Sequence, residues 1–346
     1  MEIKAKPLEI FCGTGGVGKT TLASARALYL ASLGKRVLLV TIDPSKRLKQ
    51  ILGLSDENAG QVENVIVKMG DKEIKLSALL MSPDKTIERM AIESGHPEAH
   101  KNRIVKILAR PYGGMNEILA IIEVEHHLES KNYDVVVLDT PPGGHFIDFL
   151  EGINKIQAFF DQSFIDIFRY LGKKVNLKES TSFNLLSLLV STGVKKLLGY
   201  LEKVTGQTFI DEFLEAISAV YSMKESFSRG LKLEKQIKEI TFTNWFLVTS
   251  VEHQKLTEAK EIKKDAKKYF HDDSYIILNK CTEKEWHEKV ELGTLGEQLK
   301  TSILKRERML KDSAKADFKH VIEFSEILHL APLEQIQDLI KQWETT

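Results

Sequence analysis

The chain has 346 residues, 42% hydrophobic and 28% charged, long and apolar enough to bury a sizeable core in one large domain or two. Its 49 basic residues balance its 49 acidic ones, so no global basic field points to nucleic acid or to an anionic membrane surface. The 2 cysteines, Cys12 and Cys281, form neither a disulfide framework nor a C-x-x-C pair, and no apolar run reaches the roughly 18 residues of a bilayer span.

The amino terminus has no basic region leading into a long apolar run and a cleavage site, so a soluble, cytoplasmic protein is expected, with at most indirect membrane association. Leu8-Glu9-Ile10-Phe11-Cys12 reads as a short buried strand, and Leu22-Ala23-Ser24-Ala25-Arg26-Ala27-Leu28 as a helix. Between them, Gly13-Thr14-Gly15-Gly16-Val17-Gly18-Lys19-Thr20-Thr21 fits G-x-x-x-x-G-K-[ST] with a second threonine behind it. Its glycines let the backbone curl so that successive N–H groups, from Gly13 through Gly15, Gly16, Val17 and Gly18, point into one concavity, where the following helix adds its positive dipole end. In such a loop Lys19 reaches the β- and γ-phosphates of a nucleotide, the Thr20 hydroxyl sits on Mg²⁺, and Thr21 is placed for the α-phosphate. A glycine-rich turn without a ligand is the plainer alternative, but it does not require strand, loop and helix in this order.

Arg36-Val37-Leu38-Leu39-Val40-Thr41-Ile42 is a nearly continuous apolar run, the pattern of a parallel strand buried on both faces, and it delivers Asp43 at its carboxyl end. Asn64 to Met69 suggests a further strand, Ser77 to about His100 a mixed helical pattern, and Met115 to Leu128 a clearer helix with Ile118, Ile121, Ile122 and Val124 along one side. Tyr133-Asp134-Val135-Val136-Val137-Leu138 is another buried strand, closing with Asp139-Thr140-Pro141-Pro142-Gly143-Gly144-His145. An apolar strand ending in aspartate is what a Walker B element needs, which makes Asp139 a second metal-associated residue.

From Gly152 to about Ile240 apolar residues recur at helical spacing, among them Phe160, Phe164 and Phe168, and later Phe209, Phe213 and Ile217. Strands resume at Phe246 to Ser250, Tyr275 to Leu278 and His320 to Phe324, and a helix follows Pro332. The organisation read from this order is α/β: a P-loop core of residues 1–150 and 241–346, a mostly parallel twisted sheet flanked by helices, with an inserted helical subdomain at 151–240.

With those elements in order, the chain resembles the deviant-Walker-A ATPases, in the branch that holds the arsenical pump-driving ATPase and the ATPase that targets tail-anchored membrane proteins. The resemblance rests on Gly13 to Thr21, on Thr41-Ile42-Asp43-Pro44-Ser45 as switch I, on Asp139 to His145 as switch II, on Asn279-Lys280 after a late strand, and on the helical insertion. It implies that Asp43 orients and polarises the attacking water, that Asp139 senses the γ-phosphate and the metal-bound water, and that Asn279 recognises adenine. It also implies a homodimer that closes on ATP and opens on hydrolysis or release, with the helical subdomains gripping a hydrophobic protein client.

One departure matters: the family's signature lysine near the start of the loop is replaced by Thr14, which carries no charge to a neighbouring subunit. Lys46, Arg47 and Arg26 are the candidate replacements; a heterodimer with a lysine-bearing paralogue, or a nucleotide-gated scaffold with little turnover, are the other readings. Two separated cysteines do not suffice to capture arsenite or hold an iron–sulfur cluster. A positioning ATPase of the MinD and ParA type ranks lower, because Glu334, Asp338 and Glu344 outweigh Lys341 at the chain's end.

Overall fold

The computed structural model describes residues 3–42, 49, 52–69, 72–110, 115–159, 203–284, 286, 293–329 and 331–346. Its strands are β1 (Leu8–Gly13), β2 (Val37–Thr41), β3 (Val62–Met69), β4 (Lys72–Leu80), β5 (Val135–Asp139), β6 (Thr243–Ser250), β7 (Tyr275–Cys281) and β8 (His320–Ser325). They form one 8-stranded sheet in the order β3-β4-β2-β5-β1-β6-β7-β8. Every neighbouring pair is parallel except β3 with β4. β1, β2, β5 and β6 are buried along their whole length, as expected of strands covered on both faces.

The helices are α1 (Lys19–Ser32), α2 (Pro83–Glu93), α3 (Arg103–Leu108), α4 (Asn116–Ser130), α5 (Gly144–Phe159), α6 (Gln207–Ser222), α7 (Lys224–Lys238), α8 (His253–Asp265), α9 (Thr294–Asp317) and α10 (Pro332–Glu344). The result is the α/β architecture read from the sequence, a mostly parallel sheet flanked by helices. The helical pattern expected from Ser77 is corrected, because Ser77–Leu80 completes β4 and α2 begins only at Pro83. The period is two, not 3.6: Ile74, Leu76 and Ala78 are buried, while Lys75 between them is exposed and Ser77 half-buried.

The chain divides into two compact units. The first comprises Met1–Met81, Val124–Leu150 and Leu233–Thr346 and contains the whole sheet; the second comprises Ser82–Glu123 and Glu151–Lys232. In the second unit, Asn102 caps α3 by accepting from Ile104 N–H at 2.9 Å, and its amide donates to the Glu212 carbonyl of α6 at 3.2 Å. Arg89 joins Glu93 and Glu123 there, at 2.8 and 2.9 Å. The expected apolar recurrences at Phe160, Phe164 and Phe168 lie outside the described residues.

In the first unit, α10 turns Ile336, Leu339, Ile340 and Trp343 into the core, and the Trp343 ring meets Phe11, Phe246 and Phe324 edge-on. Beside it, Arg26 of α1 pairs with Glu9 of β1, Nε to Oε2 at 2.9 Å and Nη2 to Oε1 at 3.0 Å, with both residues buried. Asn244 donates to the same carboxylate at 3.1 Å, and the guanidinium lies over the Trp343 ring at 5.0 Å.

Breaking a buried pair leaves one charge uncompensated. Arg26→Ala and Glu9→Gln are each expected to lower unfolding free energy by about 3–5 kcal/mol in a denaturant titration, and the apolar double replacement Glu9→Leu with Arg26→Met to recover most of it.

Candidate nucleotide site

The loop after β1 owes its shape to glycine at two positions. Gly13 has φ +148° and Gly18 has φ +88°. A Cβ at Gly13 would run into the Val248 carbonyl oxygen, and one at Gly18 would lie 2.5 Å from Asn279 Nδ2. Gly18 is also the N-cap of α1, in the left-handed region, with no side chain among the described residues bonded to the free N–H groups and no acidic residue in the first turn. Those donors therefore face outward as an uncapped helix end, the arrangement that receives phosphate. Gly15 and Gly16 are exposed, Val17 is 2% exposed, and Thr20 and Thr21 are half-buried.

Lys19 and Thr20 meet the tip of β5. Thr20 Oγ1 donates to Asp139 Oδ2 at 2.8 Å, Lys19 Nζ lies 3.7 Å from Asp139 Oδ1, and Lys19 Nζ also donates to the Thr140 carbonyl. Thr140 in turn donates through Oγ1 to the Phe11 carbonyl at 2.9 Å, and Gly143 N–H donates to the Gly13 carbonyl at 3.0 Å. The segment after β5 is thus tied to the phosphate loop at two points.

Asn279, at the far end of β7, is 8% exposed, and its Nδ2 donates to the Val17 carbonyl at 2.8 Å. Lys280 follows with φ +64°, and the ladder between β7 and β8 is irregular there. Behind this segment, Glu307 of α9 accepts from Thr282 N–H and Oγ1 at 2.9 and 2.8 Å, and Lys311 meets Glu323, Glu307 and Glu283 at 2.8, 2.9 and 3.0 Å. Burial opposes the Lys311 charge, but the three carboxylates, Glu323 foremost, hold its pKa above the ordinary lysine range.

The structure therefore brings Gly13 to Thr21, Asp139 and Asn279 together in the first unit, whereas Asp43, Lys46 and Arg47 lie outside the described residues. Arg26 is removed as a replacement for the signature lysine, because its guanidinium is consumed by Glu9 in the core. Thr14 is 2% exposed, and its hydroxyl has no hydrogen-bond partner among the described residues. Cys12 and Cys281 are buried, which pushes both thiols up, Cys281 to about 12.

Thr140 as the acceptor for Lys19 and the Glu307–Lys311 pair on α9 escape the sequence reading. The i,i+4 spacing of Glu307 and Lys311 was a visible signal, but nothing local marked Glu283 and Glu323 as their partners. The positive-φ glycines, the uncapped helix end, the buried Thr14 hydroxyl without a partner among the described residues and the Thr20–Asp139 pair form a set of polar groups suited to a nucleoside triphosphate with a hard, oxygen-seeking cation.

A family model described as anion-transporting ATPase matches residues 8–341. Among curated relatives, an ATPase get3 of Aspergillus terreus is 25% identical over 274 residues, spanning 77% of this chain and 71% of that protein. An ATPase GET3 of Paracoccidioides lutzii is 26% identical over 273 residues, 77% and 70% of the two chains. An ATPase get3 of Schizosaccharomyces japonicus is 33% identical over 140 residues, 40% of this chain and 41% of that one.

The close fit of Gly18 against Asn279 makes this glycine a sensitive position. Gly18→Ala is expected to cost about 1–2 kcal/mol of backbone strain and to weaken ATP binding about tenfold, the equivalent of 1.4 kcal/mol, as read by calorimetric titration.

Proposed function

The chain belongs to the anion-transporting ATPase family, and from that premise we propose that it is an ATP-driven switch that hydrolyses ATP with Mg²⁺ and couples nucleotide state to the handling of a protein or membrane-protein client. That it is an ATPase follows from the family. The observation that carries the finer reading is the convergence of Lys19, Thr20 and Asp139 beside an uncapped helix end.

The chain's own groups divide the work. Lys19 exchanges the Thr140 carbonyl for phosphate oxygens, and the loop N–H groups from Gly13 to Thr21 hold the rest of the triphosphate. Thr20 is assigned to the metal directly, and Asp139 and Asp43 through water. Mg²⁺, if bound by these groups, would supply neutralisation of the negative charge that develops on the phosphate oxygens. Asp43, two residues past the end of β2 in sequence, is assigned to orient and polarise the attacking water. Asn279 is assigned to adenine. Because Lys19 leaves Thr140 when it takes up phosphate, the segment leading into α5 is the part of the fold that registers the exchange.

The partner in this reading is a second copy or a lysine-bearing paralogue, closing on ATP and opening on hydrolysis. The proposed client surface is the second unit, where Ile92, Ile107, Val204 and Phe209 are exposed. Thr14 favours a second reading, a scaffold that binds ATP and barely turns over. Phosphate release by the purified chain, alone and mixed with such a paralogue, separates the two.

With Mg-ATP, Lys19→Ala is expected to abolish both binding and turnover, whereas Asp43→Asn retains binding and loses about 10²–10⁴-fold in kcat. Retained turnover in both variants would remove the assignment. In a light-scattering assay, ATP-loaded Asp43→Asn protein is expected to keep an apolar helical peptide from aggregating, and deletion of residues 151–240 to end that protection.

A further inference from the structure

A second feature lies at the opposite edge of the sheet and is independent of the nucleotide reading. β4 pairs with β3 along its whole length, from Leu79 opposite Val62 to Lys72 opposite Met69, but with β2 only from Ser77 to Leu80. Among the described residues, Lys72–Leu76 therefore has one edge without a neighbour. The ladder shows which groups face it. Met81 N–H donates to Thr41 O on the β2 side, and Leu80 O accepts from Gly60 N–H on the β3 side. Successive residues point their backbone groups to alternate sides, and the β3–β4 register is unbroken, so Glu73 and Lys75 turn N–H and C=O toward the open edge.

That edge is one wall of a groove of about 680 Å³, within the size range of ligand clefts, whose other walls include Gly34 to Val37 and Asn132 with Tyr133. Its charge is mainly basic, with Glu73 the one acidic residue in its lining among the described residues. Lys35, Lys72 and Lys75 line it, are exposed and make no ion pair among the described residues. Arg36 is already held by Asp134 at 2.7 Å, and the carboxylate of Glu73 lies 3.9 Å from Lys68.

We propose that this slot docks an extended acidic segment of a partner protein, added to β4 as a short strand in the line of β2. Glu73 and Lys75 supply the main-chain hydrogen bonds, and the three lysines select carboxylates. At about 3.3 Å per residue the open edge runs about 16 Å, room for roughly five residues. A second copy of this chain is the poorer occupant. The outer strand β3 carries one acid, Glu63, and one base, Lys68, and the acid of the other outer strand, Glu323 of β8, is taken by Lys311 and Lys315, so neither brings net negative charge.

The test is a fluorescence-anisotropy titration of the full chain with a labelled, capped pentapeptide alternating glutamate and valine. Saturable binding that weakens with salt is expected, lost about tenfold or more in Lys72→Glu with Lys75→Glu, and absent for a lysine–valine peptide. Lys75→Pro removes a single N–H that faces the slot and leaves the β3 ladder intact, so it too is expected to weaken binding. If that variant fails to fold, methylating alternate peptide nitrogens of the probe gives the same reading. ATPase turnover is expected to stay unchanged in the lysine variants. No binding at millimolar peptide, equal affinity for the two peptides, or indifference to Lys75→Pro or N-methylation would overturn the proposal, as would a self-association of the wild type that the lysine variants abolish.

Discussion

The register of β1 against β5 is the constraint on which the site depends. Phe11 lies opposite Asp139, two residues before the glycine that opens the phosphate loop. The parallel pairing therefore sets the β5 carboxylate beside the start of α1, where Thr20 and Lys19 meet it. Side chains alternate faces along a strand, so a slip of one residue would turn Asp139 to the other side of the sheet. What holds the register is apolar burial. Ile10, Phe11, Val137 and Leu138 are all fully enclosed, and Phe11 stacks on Phe246 with ring centres 4.7 Å apart.

The same rigidity explains how three separate segments fix one loop. Val248 closes over Gly13 from β6, Asn279 reaches Val17 from β7, and Thr140 anchors to Phe11 from the end of β5. Each contact fixes backbone rather than side chain, so the loop's N–H groups are set before a nucleotide arrives. Asn279 links the end of β7 to the glycine loop through one buried amide, and Glu307 and Lys311 brace the strand end from which it projects.

Local chemistry was legible in the sequence and long-range pairing was not. The phosphate loop and the carboxylate at the end of β5 could be read because each is written in adjacent residues: glycines before a lysine, an apolar run before an aspartate. The end of β4 was misread because Ser77-Ala78-Leu79-Leu80 carries no clear alternation of its own, and the period-two pattern of Ile74, Leu76 and Ala78 is too short to outweigh the helical signals that follow. Arg26 looked like a free cation on an otherwise apolar helix. Its burial depends on Glu9, itself a carboxylate in the middle of a strand that periodicity would have left as an unexplained exception.

The replacement of the signature lysine acquires a sharper form from these observations. At 2% exposed, Thr14 is enclosed by its own subunit and cannot reach a neighbouring one, so any cation that faces the phosphates from outside comes from another position. A buried hydroxyl without a partner costs about 1–3 kcal/mol, a penalty that a ligand oxygen entering the loop would relieve. With Arg26 committed to Glu9, the basic candidates that remain are Lys46 and Arg47, which come after Asp43-Pro44-Ser45 in the chain. The proposed water-orienting carboxylate and the proposed compensating charge then belong to one short segment after β2. Whatever positions that segment sets both the attack on the γ-phosphate and the stabilisation of the charge it creates.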